Sequence, residues 1–378
     1  MAPVRKTLLD GGFPPGCQPC HDMEKHGKVS GRQKQLLKTG VILQDFTKTM
    51  LSSPWLNEWT QNQTNDGITT SMVQDWQIDL GNFCNSACLF CSPEYSSRLA
   101  IEFKKISLIS ELPKKTWCDD PDMLEKFLQG LRSSPTIKYI HFLGGETLIT
   151  PAFKKILLAL ISSGLNETTT IGFTTNLTVM DKHIVDLLEQ FHSVHLGVSI
   201  ECLDRVNDYV RYGSQISQAL DLMQQWLALA RSKDWLMQIR TTPSVLTISR
   251  LVAVYEYAWQ NHVNVESCNF IHNPAYMKPS VLPAQLRQQA RNSMAAWIAS
   301  KSDTMFDDQI VNTRNKNFLH QQLIQDAQSY VQYLDQEPDA GHLLPDLVAY
   351  LKRMDENRGN CVLDYLPEYE ELFRSAGY

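Results

Sequence analysis

The stretch IKYIHFLGGETLITPAFKKILLALISSG, residues 137–164, contains a short apolar run, a glycine pair and a longer helical pattern, in that order. The run at 137–143 predicts a β-strand. From 151 to 164 apolar residues recur at spacings of three and four, which predicts an amphipathic helix that stops at a glycine. The stretch therefore predicts a strand, a turn and a helix, which is the repeating unit of α/β proteins.

The same alternation continues on both sides of this stretch. Further helical patterns lie at 121–133, 181–191, 217–232 and 249–261. Five more apolar runs predict strands at 76–80, 169–175, 193–200, 236–242 and 265–272. Strands that alternate with helices imply a parallel sheet with helices outside it. Six such units predict an α/β fold, either a partial (β/α)6 barrel of TIM type or a doubly wound sheet.

The chain changes character at both ends of this alternating region. Residues 1–75 are irregular and rich in glycine, proline and polar residues. After about residue 275 the alternation stops, and three amphipathic helical patterns follow, which predict helices packed on the barrel. We therefore expect three parts: an accessory segment at 1–75, a barrel core at 76–275 and a helical region at 276–378.

The composition is that of an ordinary globular protein, with 43% apolar and 20% charged residues among 378. A net charge of −6 argues against a broad phosphate-binding surface, so nucleic acid is not expected as a partner. The apolar run ILLALI at 156–161 is too short to span a membrane, and the N-terminus lacks the apolar run of a signal peptide. Nine cysteines without such a signal favour a reducing compartment, which predicts a cytoplasmic location.

The segment FCNSACLFCSPEYSSR, residues 83–98, carries three cysteines within eight residues: Cys84, Cys88 and Cys91. They follow the first predicted strand within four residues, and in a parallel barrel that loop lies at the C-terminal face, where active sites assemble. Thiolates select zinc or iron–sulfur centres. The uneven spacing suits three corners of a cubane cluster, whereas zinc more comfortably uses paired cysteines and a fourth ligand. A zinc knuckle and plain buried thiols are the alternatives.

This Cys-x-x-x-Cys-x-x-Cys pattern, with aromatic Phe90 before the third cysteine, resembles the signature of radical S-adenosylmethionine (radical SAM) enzymes. The resemblance implies that the three cysteines hold a 4Fe–4S cluster, whose fourth iron takes the amino and carboxylate groups of S-adenosylmethionine. It also implies reductive cleavage of this cofactor to a 5′-deoxyadenosyl radical, which takes hydrogen from a substrate C–H bond. An electron donor such as flavodoxin or ferredoxin would then be a partner.

Gly144, Gly145 and Glu146 stand at the end of the second predicted strand and resemble the Gly-Gly-Glu motif of the same family. In the family this motif holds the amino group of the cofactor. The residue types suit that role, because glycines let the backbone approach a ligand closely and a carboxylate attracts an ammonium group. A tight turn between a strand and a helix is the alternative.

Residues at the ends of the next two predicted strands also match family positions. Thr175 and Asn176 resemble a Thr-Asn pair near the cofactor, with a satisfied strand end or a helix cap as the alternative. Ser199 and Arg211 match positions that contact the ribose or the methionine carboxylate. A surface salt bridge is the alternative for Arg211.

Both ends of the chain resemble a branch of the family with twitch or SPASM-like accessory segments, although the further cysteine-rich segment usual upstream is missing. The Cys-x-x-Cys pair of Cys17 and Cys20 is a candidate second metal site. It would hold an auxiliary iron–sulfur cluster with Cys118, Cys268 or Cys361, bind zinc, or consist of plain thiols.

Five other residues attract attention in the barrel core. Cys202 follows the fourth predicted strand, where the family often has glycine, and we expect it to face the pocket. A thiol there would donate hydrogen to a substrate radical; a small buried residue is the alternative. His141 and His272 are predicted to be hydrogen-bonded core or rim residues, and Glu201 and Asp204 would shape the substrate pocket.

The sequence leaves the substrate open. Modification of a peptide in natural-product biosynthesis is the first hypothesis, because the resembling branch with accessory cysteine segments often acts on peptides. The same chemistry on a small metabolite, a sugar or a nucleoside is the second. A zinc or iron–sulfur interaction module without enzymatic activity is the third.

Overall fold

By its internal contacts the chain divides into two compact units, Met1–Val73 and Gln74–Tyr378. A computed structural model describes residues 73–266, 270–271, 273–302 and 320–378, together with Lys6, Thr7, Pro14, Cys17 and Cys20. The elements named below all belong to the second unit.

The second unit is built around two sheets. In chain order the strands are β1 (Asp75–Asp79), β2 (Ala87–Cys88), β3 (Tyr139–Leu143), β4 (Thr170–Thr175), β5 (Ser193–Ser199), β6 (Arg211–Tyr212), β7 (Leu236–Arg240) and β8 (Asn264–Glu266). The large sheet has six strands in the order β1-β3-β4-β5-β7-β8, and every neighbouring pair is parallel. The other two strands form a short antiparallel ribbon, β2-β6.

The order of the large sheet distinguishes between the two predicted architectures. Its strands are neighbours in the order in which the chain visits them. A doubly wound sheet instead reverses its strand order at a switch point. The described strands therefore form a partial barrel, and the predicted α/β fold with its six parallel strands is confirmed.

Eleven helices are described outside the sheets: α1 (Ser97–Lys105), α2 (Pro121–Arg132), α3 (Pro151–Ser162), α4 (Lys182–Leu188), α5 (Val206–Val210), α6 (Ile216–Lys233), α7 (Leu251–Gln260), α8 (Ala284–Ser302), α9 (His320–Gln336), α10 (Leu344–Arg358) and α11 (Glu370–Ser375). All eight predicted helices are present. The sequence did not predict α1, α5 or α11, nor the two ribbon strands, which at two residues each are too short to show a periodic pattern.

Helix α2 shows how local sequence sets these elements. The Asp120 carboxylate caps the helix by accepting the backbone N–H of Asp122 at 2.9 Å, and Pro121 occupies the first helical position, where no N–H is needed. Leu124 and Leu131 lie on one face and are buried against the sheet layer of the core. Cap and apolar stripe together fix where the helix begins and which face it buries.

The C-terminal helices share one hydrophobic core with the barrel. Met294 of α8, Tyr330 of α9 and Leu351 of α10 are each completely buried in it. The described helices after residue 275 thus pack with the barrel within the second unit, and the division expected at residue 275 stays a prediction. None of the helices in the described ranges is long and apolar enough to cross a membrane.

Candidate functional site

A cavity of about 920 Å³ lies at the carboxyl ends of the parallel strands. We call it the barrel-mouth cavity. It brings together all three cysteines of the predicted cluster site and all eight predicted cofactor residues: Cys84, Cys88 and Cys91 with Phe90, Gly144, Gly145, Glu146, Thr175, Asn176, Ser199 and Arg211. Three thiols that line one cavity fit the three protein ligands of a cubane cluster, and the cavity volume fits a bound nucleoside cofactor beside it.

The β2-β6 ribbon places Cys88 directly opposite Arg211. The pairing is extended by the backbone N–H of Leu89, which donates to the carbonyl of Val210 at 2.8 Å. A cationic side chain is thereby fixed next to the cysteine loop, which we define as residues 80–91. The sequence does not signal this ribbon, because strands of two residues show no alternation of polar and apolar residues.

The three thiols are close enough to influence one another. Burial, together with smaller contributions from the neighbouring thiols, raises the pKa of Cys84 to about 11 and that of Cys91 to about 12. Burial also raises the pKa of Cys88, while the charge of Arg211 opposes this rise. A positive metal centre would compensate the cost of the buried thiolates. Within the described ranges, no three His, Cys, Asp or Glu side chains are placed to hold a single metal ion.

The glycine pair after β3 is required by its protein neighbours. Gly144 and Gly145 have φ angles of 90° and 51°. A Cβ on Gly145 would lie 2.2 Å from the carbonyl oxygen of Phe83, and one on Gly144 would lie 2.4 Å from that of Gly81. Only glycine lets this turn approach the cysteine loop so closely.

Gly145→Ala should therefore destabilise the fold by about 2 kcal/mol or more, since it combines a left-handed backbone with a steric clash. Gly130→Ala is the matched control. Gly130 lies inside α2 with no atom within 4 Å of the added Cβ, so alanine should stabilise the protein by roughly 0.5–1 kcal/mol. Urea denaturation of both variants measures the difference. Equal effects in the two variants would contradict the close approach at Gly145.

Glu146 connects the ends of two neighbouring strands. Its carboxylate accepts the backbone N–H of Leu148 at 3.1 Å and that of Asn176, after β4, at 2.6 Å. Burial raises the pKa of Glu146, while these two hydrogen bonds favour the ionised form and oppose the rise. Both carboxylate oxygens are thus engaged by the protein.

Asn176 connects β4 to the cysteine loop. Its Nδ2 donates to Asn85 Oδ1 at 2.9 Å and to Ser86 Oγ at 2.9 Å, while its Oδ1 accepts the backbone N–H of Thr178 at 3.1 Å. Thr175 accepts a backbone N–H through Oγ1. Asn176 therefore positions the loop that carries the cysteines, and both Thr175 and Asn176 line the barrel-mouth cavity.

Arg211 forms a buried ion pair, which excludes the surface salt bridge considered as the alternative. Its Nη1 lies 2.8 Å from Glu201 Oε1, and the two side chains are only 9% and 1% exposed. The second carboxylate oxygen of Glu201 accepts the backbone N–H of Thr242 at 2.6 Å. Burial opposes the positive charge, but Cys88 and Glu201 outweigh it and raise the pKa of Arg211.

The Nε atom of Arg211 is buried and has no hydrogen-bond partner among the described residues. A buried cationic donor without a partner costs free energy, and a ligand carboxylate would satisfy it. Because Arg211 lines the barrel-mouth cavity, this donor fits the anionic end of an amino-acid ligand.

The structure does not support the expected orientation of Cys202. The residue is completely buried, its thiol donates to Asp204 Oδ1 at 3.4 Å, and it is not among the residues that line the cavity. Asp204 in turn pairs with Arg250 at 2.9 Å. The expectation that Cys202 faces the pocket is therefore wrong, and the alternative of a small buried residue fits.

The two histidines differ in what the structure shows. His141 Nδ1 lies 3.1 Å from the hydroxyl of Tyr139, as expected for a hydrogen-bonded residue of the barrel interior. His272 lies outside the described residues.

The remaining cysteines are spread over the chain. Cys17 and Cys20 carry free thiols and lie in the first unit. Cys118 donates to a backbone carbonyl at 3.1 Å, and Cys361 accepts a hydrogen bond from a tyrosine hydroxyl at 3.4 Å. Cys268 lies outside the described residues, so the predicted second metal site stays a prediction.

Helix α10 contacts the cysteine loop, which the sequence did not indicate. The hydroxyl of Tyr350 donates to the carbonyl of Leu89 at 2.9 Å, and Arg358 Nη2 donates to the carbonyl of Ala87 at 2.7 Å. More than 250 residues separate these partners, as the sequence separations of 261 and 271 show, so no local pattern signals the contact.

Comparison with known proteins identifies the class of the barrel. Residues 78–235 match the family model described as the Radical SAM superfamily. This segment contains the end of β1, the strands β2 to β6, the cysteine loop and Arg211, and it matches the radical SAM superfamily. The resemblance found in the sequence is thereby confirmed for residues 78–235, while the twitch or SPASM-like accessory segments are not confirmed.

The particular relatives are solved structures of low identity. SuiB of Streptococcus suis bound to S-adenosylmethionine is 14% identical in sequence. Its alignment covers 72% of this chain and 57% of the SuiB chain, with a TM-score of 0.42. The structure of native anSMEcpe with bound AdoMet is 15% identical in sequence. Its alignment covers 64% of this chain and 63% of the anSMEcpe chain, with a TM-score of 0.44. The methyltransferase TsrM of Kitasatospora setae is 12% identical in sequence. Its alignment covers 50% of this chain and 34% of the TsrM chain, with a TM-score of 0.35. No curated protein matches the chain.

Proposed function

We propose that this protein is a radical SAM enzyme that binds a 4Fe–4S cluster through Cys84, Cys88 and Cys91 and S-adenosylmethionine in the barrel-mouth cavity. The carrying observation is the convergence of the three thiols and every predicted cofactor residue on this one cavity of about 920 Å³. When bound, the cluster supplies the electron that cleaves S-adenosylmethionine to a 5′-deoxyadenosyl radical, which takes hydrogen from a substrate C–H bond.

The residues of the chain bind and orient. Arg211 offers its buried Nε to the carboxylate of the cofactor, and Glu201 keeps the guanidinium in place. The buried carboxylate of Glu146 lines the same cavity and would attract the ammonium group of the cofactor. Ser199 presents a hydroxyl group at the end of β5, which suits the ribose, and Thr175 lines the same cavity at the end of β4.

A peptide is the substrate that we favour. The cavity lies at the upper end of the range of roughly 300–1,000 Å³ that is typical of small-molecule sites, so it has room for part of a substrate beside the cofactor. The resemblance of the Cys17 and Cys20 segment to accessory segments of peptide-modifying enzymes supports the same choice. We also propose an auxiliary iron–sulfur cluster or zinc at Cys17 and Cys20, and this proposal does not depend on the class of substrate.

Anaerobic reconstitution tests the proposed function. The full chain should take up about four iron atoms for the cluster, and S-adenosylmethionine should change the paramagnetic resonance spectrum of the reduced protein. With a chemical reductant, 5′-deoxyadenosine should form. A cluster signal that S-adenosylmethionine leaves unchanged, or zinc in place of iron, would refute the proposal and favour an interaction module.

The substrate class needs a separate measurement. A peptide should stimulate formation of 5′-deoxyadenosine over the rate without substrate. Stimulation by sugars, nucleosides or small metabolites instead would favour the alternative substrate class.

A further inference from the structure

The lining of the barrel-mouth cavity is chemically divided. Of the described residues that line it, only Glu146 and Arg211 carry a charged group other than the three cysteines. Both belong to the proposed cofactor half, and both are already engaged by protein partners. No charged side chain of the described lining is therefore left to meet a substrate.

Another part of the cavity is lined by aromatic side chains. Phe103 of α1, Tyr276 after β8 and Tyr350 of α10 line it as a continuous series, which we call the aromatic wall. The Tyr276 and Tyr350 ring centres are 5.1 Å apart, and those of Phe103 and Tyr350 are 6.1 Å apart in an edge-to-face arrangement. Ile271 and Pro274 add apolar surface beside the wall.

The hydroxyl groups of the wall carry no charge. Tyr350 donates its hydroxyl to the backbone of the cysteine loop, so its ring is what remains for a ligand. Burial raises the pKa of Tyr276 to about 12, which keeps this phenol neutral. A charged substrate group placed here would lose its hydration without gaining an oppositely charged partner from the wall.

On the basis of the function proposed above, we infer that the aromatic wall binds the substrate, and that the bound part is an aromatic or large aliphatic side chain of a peptide. Stacked and edge-on contacts with the three rings would hold this side chain against the cofactor half of the cavity. Charged side chains would be rejected from the same position.

Four capped amino acids test this inference: the N-acetyl N-methylamides of phenylalanine, leucine, aspartate and lysine. They share one uncharged backbone, so only the side chain differs. Equilibrium dialysis against the cluster-loaded full chain with S-adenosylmethionine measures their affinities. The phenylalanine and leucine probes should bind at least roughly tenfold more tightly than the two charged probes.

Variants assign the preference to the wall. Tyr276→Ala should weaken binding of the phenylalanine probe about tenfold. Leu158→Ala, at an exposed position of α3 outside the cavity, is the control and should leave it unchanged. If circular dichroism shows that Tyr276→Ala does not fold, the affinity of Phe103→Ala for the phenylalanine probe tests the wall through α1 instead.

The outcomes separate this inference from the function on which it rests. Charged probes that bind as tightly as the apolar ones, in protein that still cleaves S-adenosylmethionine, would overturn the aromatic subsite and leave the proposed function standing. Unchanged phenylalanine binding in both wall variants would do the same. Cluster-loaded wild type that does not cleave S-adenosylmethionine would overturn both.

Discussion

Cys91→Ala should lower the iron content of the reconstituted chain by about four atoms per molecule. It should also abolish the spectral response to S-adenosylmethionine and the formation of 5′-deoxyadenosine. The physical reason is that a cubane held by three thiolates has no spare protein ligand, so the loss of one releases the cluster. Cys91 is a sharper choice than Cys88, because Cys88 is the more deeply buried and its loss would also disturb the packing of the ribbon.

Cys118→Ala is the matched control. Cys118 is also a partly buried free thiol near the end of β1, and it donates a hydrogen bond to the Leu80 carbonyl, but it does not line the barrel-mouth cavity. Iron content and S-adenosylmethionine cleavage should match the wild type in this variant. Loss of iron in Cys118→Ala as large as in Cys91→Ala would show a fourth protein ligand and would remove the place proposed for S-adenosylmethionine.

The barrel was predictable from the sequence because each of its strands is an apolar run followed by a helix with its own periodic pattern. The start of α4 was predictable for a similar reason, since the Asp181 carboxylate accepts the backbone N–H of His183 at 2.8 Å. These signals are local: a strand or a helix cap depends on residues within a few positions of it. Local patterns could not distinguish a partial barrel from a doubly wound sheet, because the difference depends on which strands become neighbours.

The parts of the site that the sequence did not indicate depend on distant contacts. Arg211 was predicted as a ligand-binding cation, but its buried pairing with Glu201 and its position opposite Cys88 depend on a ribbon of two-residue strands. The error at Cys202 has a different cause. Alternation of side chains holds only while the chain is extended, and β5 ends at Ser199, so nothing in the sequence fixes where the Cys202 thiol points.

Arg358 of α10 is the residue whose substitution should have the second large effect, on stability and on iron binding. This side chain is completely buried, and besides the carbonyl of Ala87 it binds the Glu102 carboxylate of α1 at 2.7 Å. Its guanidinium also lies 4.2 Å from the ring centre of Tyr212, the residue opposite Ala87 in the ribbon. One cation thus links β2 of the cysteine loop, the Tyr212 ring of its partner strand β6, and α1.

Arg358→Met should lower the free energy of unfolding by about 2–4 kcal/mol, because it leaves the partly buried Glu102 carboxylate and a backbone carbonyl without their partner. It should also speed the loss of iron to a chelator, since the ribbon strand that carries Cys88 loses the hydrogen bond at its neighbouring residue, Ala87. Urea denaturation measures the first effect, and the time course of iron release from reconstituted protein measures the second.

Arg374→Met separates this role from the general loss of a C-terminal charge. Arg374 pairs with Glu370 one helical turn away, and the two side chains are 61% and 54% exposed, so its loss should cost no more than about 1 kcal/mol. Iron release from this variant should match the wild type. If Arg358→Met loses stability but retains iron as firmly as Arg374→Met, then α10 stabilises the fold without holding the cysteine loop in its ligand-binding conformation.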